Sequence, residues 1–353
     1  MHLAVYRRMA TLRSSVRASG QRHRTRTHLY ASVSSDGHIG WGEVSPQPFS
    51  LNGDPSYNDV VNELEVTLLP LVRRIIETEQ TMPNWSRIVG ISNATAASRT
   101  ATTLLEMALF DRFLRSTNQP LSGVWPPRFA TPSLHTVSAL DDQWPELTTP
   151  SHVRLKVNAA PLTDAVLERL HRSAIDVMLD YNCCEPTREA VLIHCEQIAS
   201  VTELRALEQP YAAGNVVDHA LLRAVVDAPL SLDEGVRTRR DIDHLVQYGA
   251  ADVVCIKPAR VGGYSVARSL IDHAHSKGLR AYVGGFFESA LARTMNRHLA
   301  ESLVSEPSDI DGTQLLDGGD WNVGDLGLGI APSESMSNTF ECIYADVIDL
   351  GSA

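Results

Sequence analysis

Lysine is scarce in this chain. Of 31 basic residues among 353, three are lysine, Lys156, Lys257 and Lys277, and the rest are arginine. Arginine keeps its proton in proteins and cannot act as a general base, whereas lysine can when its pKa is lowered. A background that uses arginine wherever charge suffices should keep lysine where arginine fails. Lys277 lies in His-Ser-Lys-Gly, which reads as a surface helix end. Lys156 and Lys257 need another explanation. Cysteine is also sparse: Cys183, Cys184, Cys195, Cys255 and Cys342 are odd in number and contain no C-x-x-C pair. That argues against a disulfide framework and a well-spaced zinc site, and for reduced thiols. No apolar run reaches the roughly 18–20 residues of a membrane span. The arginine-rich stretch Met1–Arg26 lacks the apolar core of a signal peptide, so a cytoplasmic location is expected. A net charge of −11 argues against nucleic acid and anionic membrane as partners. Low-complexity segments and short repeats are absent.

What is present is periodicity. From about residue 131, short apolar runs alternate with amphipathic stretches. The predicted strands are Leu134–Leu140, Val153–Val157, Ile175–Asp180, Leu204–Glu208, Pro229–Asp233, Val253–Lys257 and Leu279–Gly284. Helical patterns lie between them, as at Asp164–Ser173, Arg188–Ser200, Val216–Val226, Thr238–Tyr248 and Ser265–Lys277. In the eighth unit Ser289–Val304 reads as a helix, with a short or irregular strand. Repeated strand–helix units of this length imply a parallel sheet, here closed as a modified (β/α)8, TIM-like barrel over 131–316. Residues 1–130 differ. Leu3–Arg8, Thr25–Val33 and His38–Val44 read as an antiparallel meander, with Ser35-Asp36-Gly37 as one turn, followed by helices at Tyr57–Glu79 and Ala96–Ser116. That is an α+β unit. The tail, 317–353, has loop and strand character and no barrel period. The chain is thus α/β, with an α+β unit before the barrel.

Polar residues end five successive barrel strands. Lys156, Asp180, Glu208, Asp233 and Lys257 are spaced 24, 28, 25 and 24 residues apart, about one βα unit each. All five side chains should reach the C-terminal rim, where barrel active sites sit. Three carboxylates at one mouth would raise one another's pKa, and a hard divalent cation with oxygen ligands removes that conflict. Asp180, Glu208 and Asp233 are therefore candidate ligands for Mg²⁺, with Mn²⁺ as a substitute, leaving room for a bidentate substrate carboxylate. Lys156 and Lys257 flank the ion. A proton α to a carboxylate is weakly acidic. Metal coordination of the carboxylate stabilises the ene-diolate, and a lysine beside a cation can be partly neutral and take the proton. The opposite lysine can stabilise charge or deliver a proton to the other face.

On these residues the chain resembles the enolase superfamily, in its muconate lactonising subgroup, and within it the o-succinylbenzoate synthase / N-succinylamino acid racemase family. The matching segments are Arg154-Leu-Lys156, Leu179-Asp180-Tyr-Asn182, Leu207-Glu208-Gln-Pro210, Leu232-Asp233-Glu234, Ile256-Lys257-Pro-Ala-Arg-Val-Gly-Gly263, Gly284-Gly285-Phe-Phe-Glu288-Ser and Gly327-Leu-Gly329. The resemblance implies that Lys156 is the second lysine of a K-x-K motif and the main acid/base, with Lys257 facing it. It implies that Arg154, Asn182 and Glu234 support the metal ligands, and that Gly284, Gly285 and Glu288 lie on the substrate side. The resemblance further implies that residues 1–130 form an α+β capping domain on the barrel, that the tail 317–353 returns to it, and that loops near Ser14–Arg24 and Pro46–Tyr57 shape specificity. Arg154 stands where the motif has its first lysine, a position that serves charge. Cys183-Cys184 and Phe286-Phe287 depart from the family pattern and bear on the substrate more than on the reaction.

Blander readings stand beside these. A single strand-end carboxylate is usually a loop anchor, but five in register are harder to dismiss. Glu234 can be an ordinary rim salt bridge. Gly262-Gly263 is either a phosphate cradle or a simple strand-to-helix turn. His194 and His244 read as helix-surface residues, and no histidine is assigned to a metal. The expected reaction is dehydration to o-succinylbenzoate or racemisation of N-succinylamino acids. Dipeptide epimerisation, muconate-type cycloisomerisation and, in another class, a non-catalytic barrel scaffold are the alternatives. The partner is a small carboxylate substrate, with homo-oligomerisation left open.

Overall fold

The computed structural model describes residues 1–18, 21–79, 95–140, 144, 151–310 and 319–347, with the backbone alone for 13–18, 21–23 and 79. The 316/317 boundary and the last six residues of the tail lie outside the described residues.

The cap is a four-stranded antiparallel sheet. Strands β1 (His2–Ala18), β2 (Gln21–Ser35) and β3 (His38–Val44) follow in sequence, and β13 (Glu341–Val347) adds to the free edge of β1. Its pairs run from His2↔Val347 to Arg7↔Glu341, so the tail completes the cap sheet. One correction concerns the first two strands. The apolar runs Leu3–Arg8 and Thr25–Val33 are only the buried base of a much longer hairpin, whose pairing continues to Ala18↔Gln21. Beyond Arg8, Ala10 and Leu12 are still buried, with Phe287 against them. The segment Ser14–Arg24 is strand up to Ala18 and from Gln21, paired from Val16↔His23 to Ala18↔Gln21 after an irregularity that follows Thr11.

Helices α1 (Tyr57–Glu63), α2 (Leu69–Glu79) and α3 (Ala96–Ser116) complete the cap, with a π-helical turn at Leu64–Leu68 between the first two. Residues Thr100 through Asp111 of α3 are all buried, which suits a helix wedged between the cap sheet and the barrel. Its Thr100 and Thr103 hydroxyls donate to the carbonyls of Ala259 and Pro258, at 3.0 and 3.1 Å, and so fix the turn that follows Lys257.

The barrel alternates strands and helices: β4 (Leu134–Ser138), β5 (Ser151–Lys156), α4 (Asp164–Ser173), β6 (Ala174–Asp180), α5 (Arg188–Ala199), β7 (Glu203–Glu208), α6 (Val216–Arg223), β8 (Leu230–Leu232), α7 (Arg239–Tyr248), β9 (Val253–Ile256), α8 (Tyr264–Ser276), β10 (Arg280–Val283) and α9 (Ala290–Leu303). The strands form one parallel sheet in the order β10-β9-β8-β7-β6-β5-β4. The eighth position is irregular. Asp309 N donates to Val283 O and Leu134 N to Ser308 O, each at 2.8 Å, so the 308–309 segment bridges β10 and β4 without forming a regular strand. A two-stranded ribbon, β11 (Trp321–Val323) with β12 (Ile330–Pro332), precedes β13.

Two cap carboxylates terminate barrel helices. Glu43 of β3 accepts from Ser289 N, Ser289 Oγ and Ala292 N at 2.6, 2.7 and 2.9 Å, at the start of α9. Glu106 of α3 accepts from Tyr264 N at 2.6 Å and Ser265 N at 3.0 Å, at the start of α8. Helix N-termini carry unsatisfied N–H groups and favour negative charge. These two bonds orient the cap on the barrel. They also decide the reading of Gly262-Gly263. The pair is a turn, because the N–H groups a phosphate would use are already taken. At Gly263, with φ +130°, a Cβ would stand 2.1 Å from Glu106 Oε2, so only glycine fits.

Candidate active site

The register of the barrel sheet delivers the predicted residues to one rim. Lys156 pairs with Asp180, and Asp180 with Glu208, as direct neighbours across β5, β6 and β7. Glu208 pairs with Ser231, two residues before Asp233, and β8 and β9 continue with Leu232↔Val254. The strands step along the barrel axis, so Asp233 and Lys257 stand slightly higher than Glu208.

The lysines and carboxylates pair across the mouth. Lys156 Nζ donates to Asp180 Oδ2 at 2.8 Å and to Asn182 Oδ1 at 2.5 Å. Lys257 Nζ donates to Asp233 Oδ2 at 2.7 Å. The other Asp233 oxygen receives Arg260 Nη1. Burial drives the Asp233 pKa up, but Arg260 and then Lys257 outweigh it and hold the carboxyl well below its ordinary value. Burial likewise pulls Lys257 down, and Asp233 more than reverses it. These neighbours favour the cationic form of Lys257. Its ammonium and the Arg260 guanidinium both lie over the Phe286 ring, at 4.8 and 5.2 Å from the centroid. Gly284 makes room for this lysine, since a Cβ there would stand 2.9 Å from Lys257 Cε.

Glu208 is the exception among the carboxylates. Both its oxygens are buried and accept no hydrogen bond, and Arg154 Nη1 comes no closer than 3.9 Å. Burial first, and then the Asp180 charge, push its pKa up to about 8. An orphaned buried carboxylate flanked by two more is costly unless a cation joins it. The donor set, oxygen-rich and acidic, fits a hard divalent ion. One oxygen each of Glu208 and Asp233 lies within 4.8 Å of the other and of Cys255 Sγ. Asp180 is outside that grouping. Lys156 and the Asn182 backbone N–H, at 3.0 Å, hold its oxygens.

The supporting residues are placed as follows. Arg154 is buried and donates to Thr136 Oγ1 and, at 2.8 Å, to Asp309 Oδ2, which makes it a fixed charge beneath Glu208. Asn182 Nδ2 reaches Glu234 Oε1 at 3.4 Å. Glu234 is 4 % exposed and is no rim salt bridge; burial and the adjacent Asp233 push it up to about 7. Gly285 lines the central cavity. Glu288 is instead buried against Arg293 at 3.4 Å.

Sequence reasoning missed several residues here. Asp54, in the loop after β3, binds Arg260 through both carboxylate oxygens, and Asn52 Nδ2 reaches Asn182 O at 3.3 Å and Glu234 Oε1 at 3.4 Å. The loop is thus pinned over the mouth. The Pro46–Tyr57 segment was singled out, but not its charge. Arg260 sits inside the Lys-Pro-Ala-Arg-Val-Gly-Gly segment, where an arginine three residues past a rim lysine was the available signal. Asp309 had none, because its strand is irregular. His194 is corrected: it is buried, between Tyr181 Oη at 3.0 Å and Ala160 O at 2.7 Å. Burial lowers its pKa, so it is a core residue.

Between loop and barrel lies a cavity of about 50 Å³, lined by Gln47, Leu51, Asn52, both lysines, Phe286 and Phe287 among others. A second cavity of about 420 Å³ adjoins it on the Lys156 side, bounded by Leu51, Leu140, Val157, Tyr181, Cys183 and Cys184. The two departures from the family pattern, Cys183-Cys184 and Phe286-Phe287, therefore line the space a substrate would use.

Residues 151–314 match the family model described as enolase C-terminal domain-like. This stretch of the barrel is an enolase C-terminal-like domain. The chain is similar to o-succinylbenzoate synthase of Geobacillus stearothermophilus, at 26% identity over 76% of this chain and 72% of that protein. It is similar to N-succinylamino acid racemase of an Amycolatopsis species, at 28% identity over 74% and 72%. In structure it resembles N-succinyl Arg/Lys racemase from Bacillus cereus, with a TM-score of 0.78, 20% identity and 98% of both chains covered. The chain is an enzyme, built as a barrel with an N-terminal cap. Among the described residues no helix is long and apolar enough to cross a membrane.

Proposed function

We propose that this enzyme removes the proton α to a substrate carboxylate, as an o-succinylbenzoate synthase, an N-succinylamino acid racemase, or both. The observation that carries the reading is the pair of lysines facing one cavity across three buried carboxylates, one of which, Glu208, has no other partner. Asp180, Glu208 and Asp233 would hold a divalent ion, Mg²⁺ in the first instance and Mn²⁺ as a substitute. When bound, such an ion supplies charge compensation for the substrate carboxylate.

The chain's own residues do the rest. Lys156 takes the α-proton on one face. Asp180 and Asn182 orient its Nζ, which takes the proton as the neutral amine. Lys257, held by Asp233 and covered by Phe286, acts on the opposite face as a cation or as the second proton carrier. Dehydration on one face uses Lys156 as base and then acid, with Lys257 stabilising charge. Racemisation needs both. Arg154 and Arg260 add fixed positive charge without proton transfer. Asn52 and Asp54 close the loop over the mouth, and the cavity beside Cys183 and Cys184 accepts the apolar part of the substrate. This reading places the enzyme in the cytoplasm, with a small carboxylate substrate and neither nucleic acid nor membrane as partner.

The test is turnover with two substrates in Mg²⁺, a single enantiomer of an N-succinyl amino acid followed by polarimetry and the cyclohexadiene precursor of o-succinylbenzoate. Conversion of at least one supports the assignment. Conversion of dipeptides or lactone-forming diacids alone would replace it with the epimerase or cycloisomerase reading.

A further inference from the structure

Where helix α3 of the cap meets the outside of the barrel, four arginines surround one cavity. Arg99 comes from the first turn of α3, and Arg237, Arg239 and Arg240 from the start of α7. The cavity is about 470 Å³, within the size range of small-molecule sites. It shares no lining residue with the cavity between the two lysines. Val266 and Leu270 of α8 give it an apolar side.

Among the described residues, no carboxylate is paired with the Arg99, Arg239 or Arg240 side chain. Among the described residues, Arg99 and Arg240 have no side-chain hydrogen bond or ion pair. Arg239 donates to a neutral group, Ser269 Oγ, at 2.5 Å. Arg237 donates to the Asn52 carbonyl at 2.8 Å, while its Nε is buried without a partner. Asp54 is 3.9 Å from Arg237 and is committed to Arg260. The remaining carboxylate in the field of Arg99 is Asp241, whose Oδ2 already accepts from Arg237 N, Thr238 N and Thr238 Oγ1. Ser265 Oγ, also on the cavity wall, is a buried hydroxyl beside the Glu106 carboxylate. A chain of net charge −11 has thus gathered four guanidinium groups, one of them with a buried Nε that has no partner, around one opening. Guanidinium forks match the oxygens of phosphate, and an apolar side suits a carbon body attached to it.

We propose that this cavity is a second ligand site, distinct from the catalytic mouth, which binds the phosphate group of a small organic phosphate. Arg99, Arg239 and Arg240 hold the phosphate oxygens, and Val266 and Leu270 cover the carbon body. Arg237 also holds the Asn52 carbonyl, so the site and the loop over the catalytic mouth share one side chain.

The test is calorimetry on the full-length, Mg²⁺-loaded protein at physiological salt, with inorganic phosphate and phenyl phosphate titrated separately. One equivalent per chain should bind, and phenyl phosphate should bind more tightly. Equal affinity for the two probes would assign the site to free phosphate, which keeps the site and removes its apolar half. Arg99→Ala and Arg240→Ala, both outside the catalytic machinery, should each weaken binding by about tenfold or more, as expected for loss of a charged hydrogen bond. Circular dichroism confirms that both variants fold. The proposal is overturned if neither probe binds saturably up to millimolar concentration. It is also overturned if binding is unchanged in the double variant, which would put the anion at the catalytic mouth.

Discussion

Asp54 in the cap loop grips Arg260 of the barrel through both carboxylate oxygens, at 2.8 and 2.7 Å. Both side chains are buried, and Arg260 continues to Asp233. This contact ties closure of the loop over the mouth to the charge on a candidate metal ligand. Removing one partner of a buried ion pair typically costs about 3–5 kcal/mol. Asp54→Asn should therefore free the loop, speed hydrogen exchange at 46–56, and lower kcat/KM by at least about tenfold, mostly through KM. Unchanged exchange and kinetics would show that the pair does not hold the loop.

The three lysines should differ in what they tolerate. Lys156→Arg and Lys257→Arg keep the charge but lose a usable base, and each should cost at least ~10²-fold in activity. Lys277, exposed beside Asp243 at 3.2 Å, should accept arginine with almost no effect. Equal tolerance at all three positions would contradict the roles given to the first two.

Metal binding should be visible without any turnover. Glu208 carries two unpartnered buried oxygens, so a divalent cation should stabilise the folded chain in proportion to its occupancy. Mg²⁺ should raise Tm and EDTA should lower it. Glu208→Gln should abolish the difference together with activity. A Tm indifferent to Mg²⁺ and EDTA, with full activity after thorough demetallation, would contradict the metal assignment.

Burial raises the Glu106 carboxyl from 4.5 to about 7, against the Ser265 hydroxyl and the N–H groups of Ser265 and Tyr264 that lower it. Between those two values the folded chain keeps a proton that the unfolded chain has released. This group's contribution is full below pH 4.5 and is lost as pH rises through 7. Its size is at most about 3 kcal/mol. Glu106→Gln should flatten the corresponding fall in Tm across that window relative to wild type. Parallel curves for the two proteins would show that the carboxyl ionises freely.

The barrel was legible because five successive βα units announce themselves twice, by an apolar run and by the polar residue that ends it. β6 ends at Asp180 and β7 at Glu208, as the sequence pattern predicts. Burial on both faces is what makes such strands readable. The outer hairpin of β1 and β2 was not legible, since Ala10 and Leu12 are too short an apolar alternation to mark it. Nor was the closing segment at 308–309, where two hydrogen bonds replace a strand. In the site, residues that move protons or meet a metal stood out by type and spacing. Asp54, Arg260 and Asp309 act through partners 206 and 155 residues away, and sequence distance hides such pairs.

The central claim is that Lys156 and Lys257 move protons at the α-carbon of a carboxylate substrate. The most direct measurement is incorporation of solvent deuterium at that carbon. Each enantiomer of an N-succinyl amino acid is incubated with the Mg²⁺-loaded enzyme in D₂O and followed by ¹H NMR. Both enantiomers should lose the α-proton signal. Lys156→Ala should suppress exchange from one enantiomer more severely, and Lys257→Ala from the other. Absence of exchange with either enantiomer, with the metal bound and the cyclohexadiene precursor also untouched, would contradict the account of these two lysines on this substrate class.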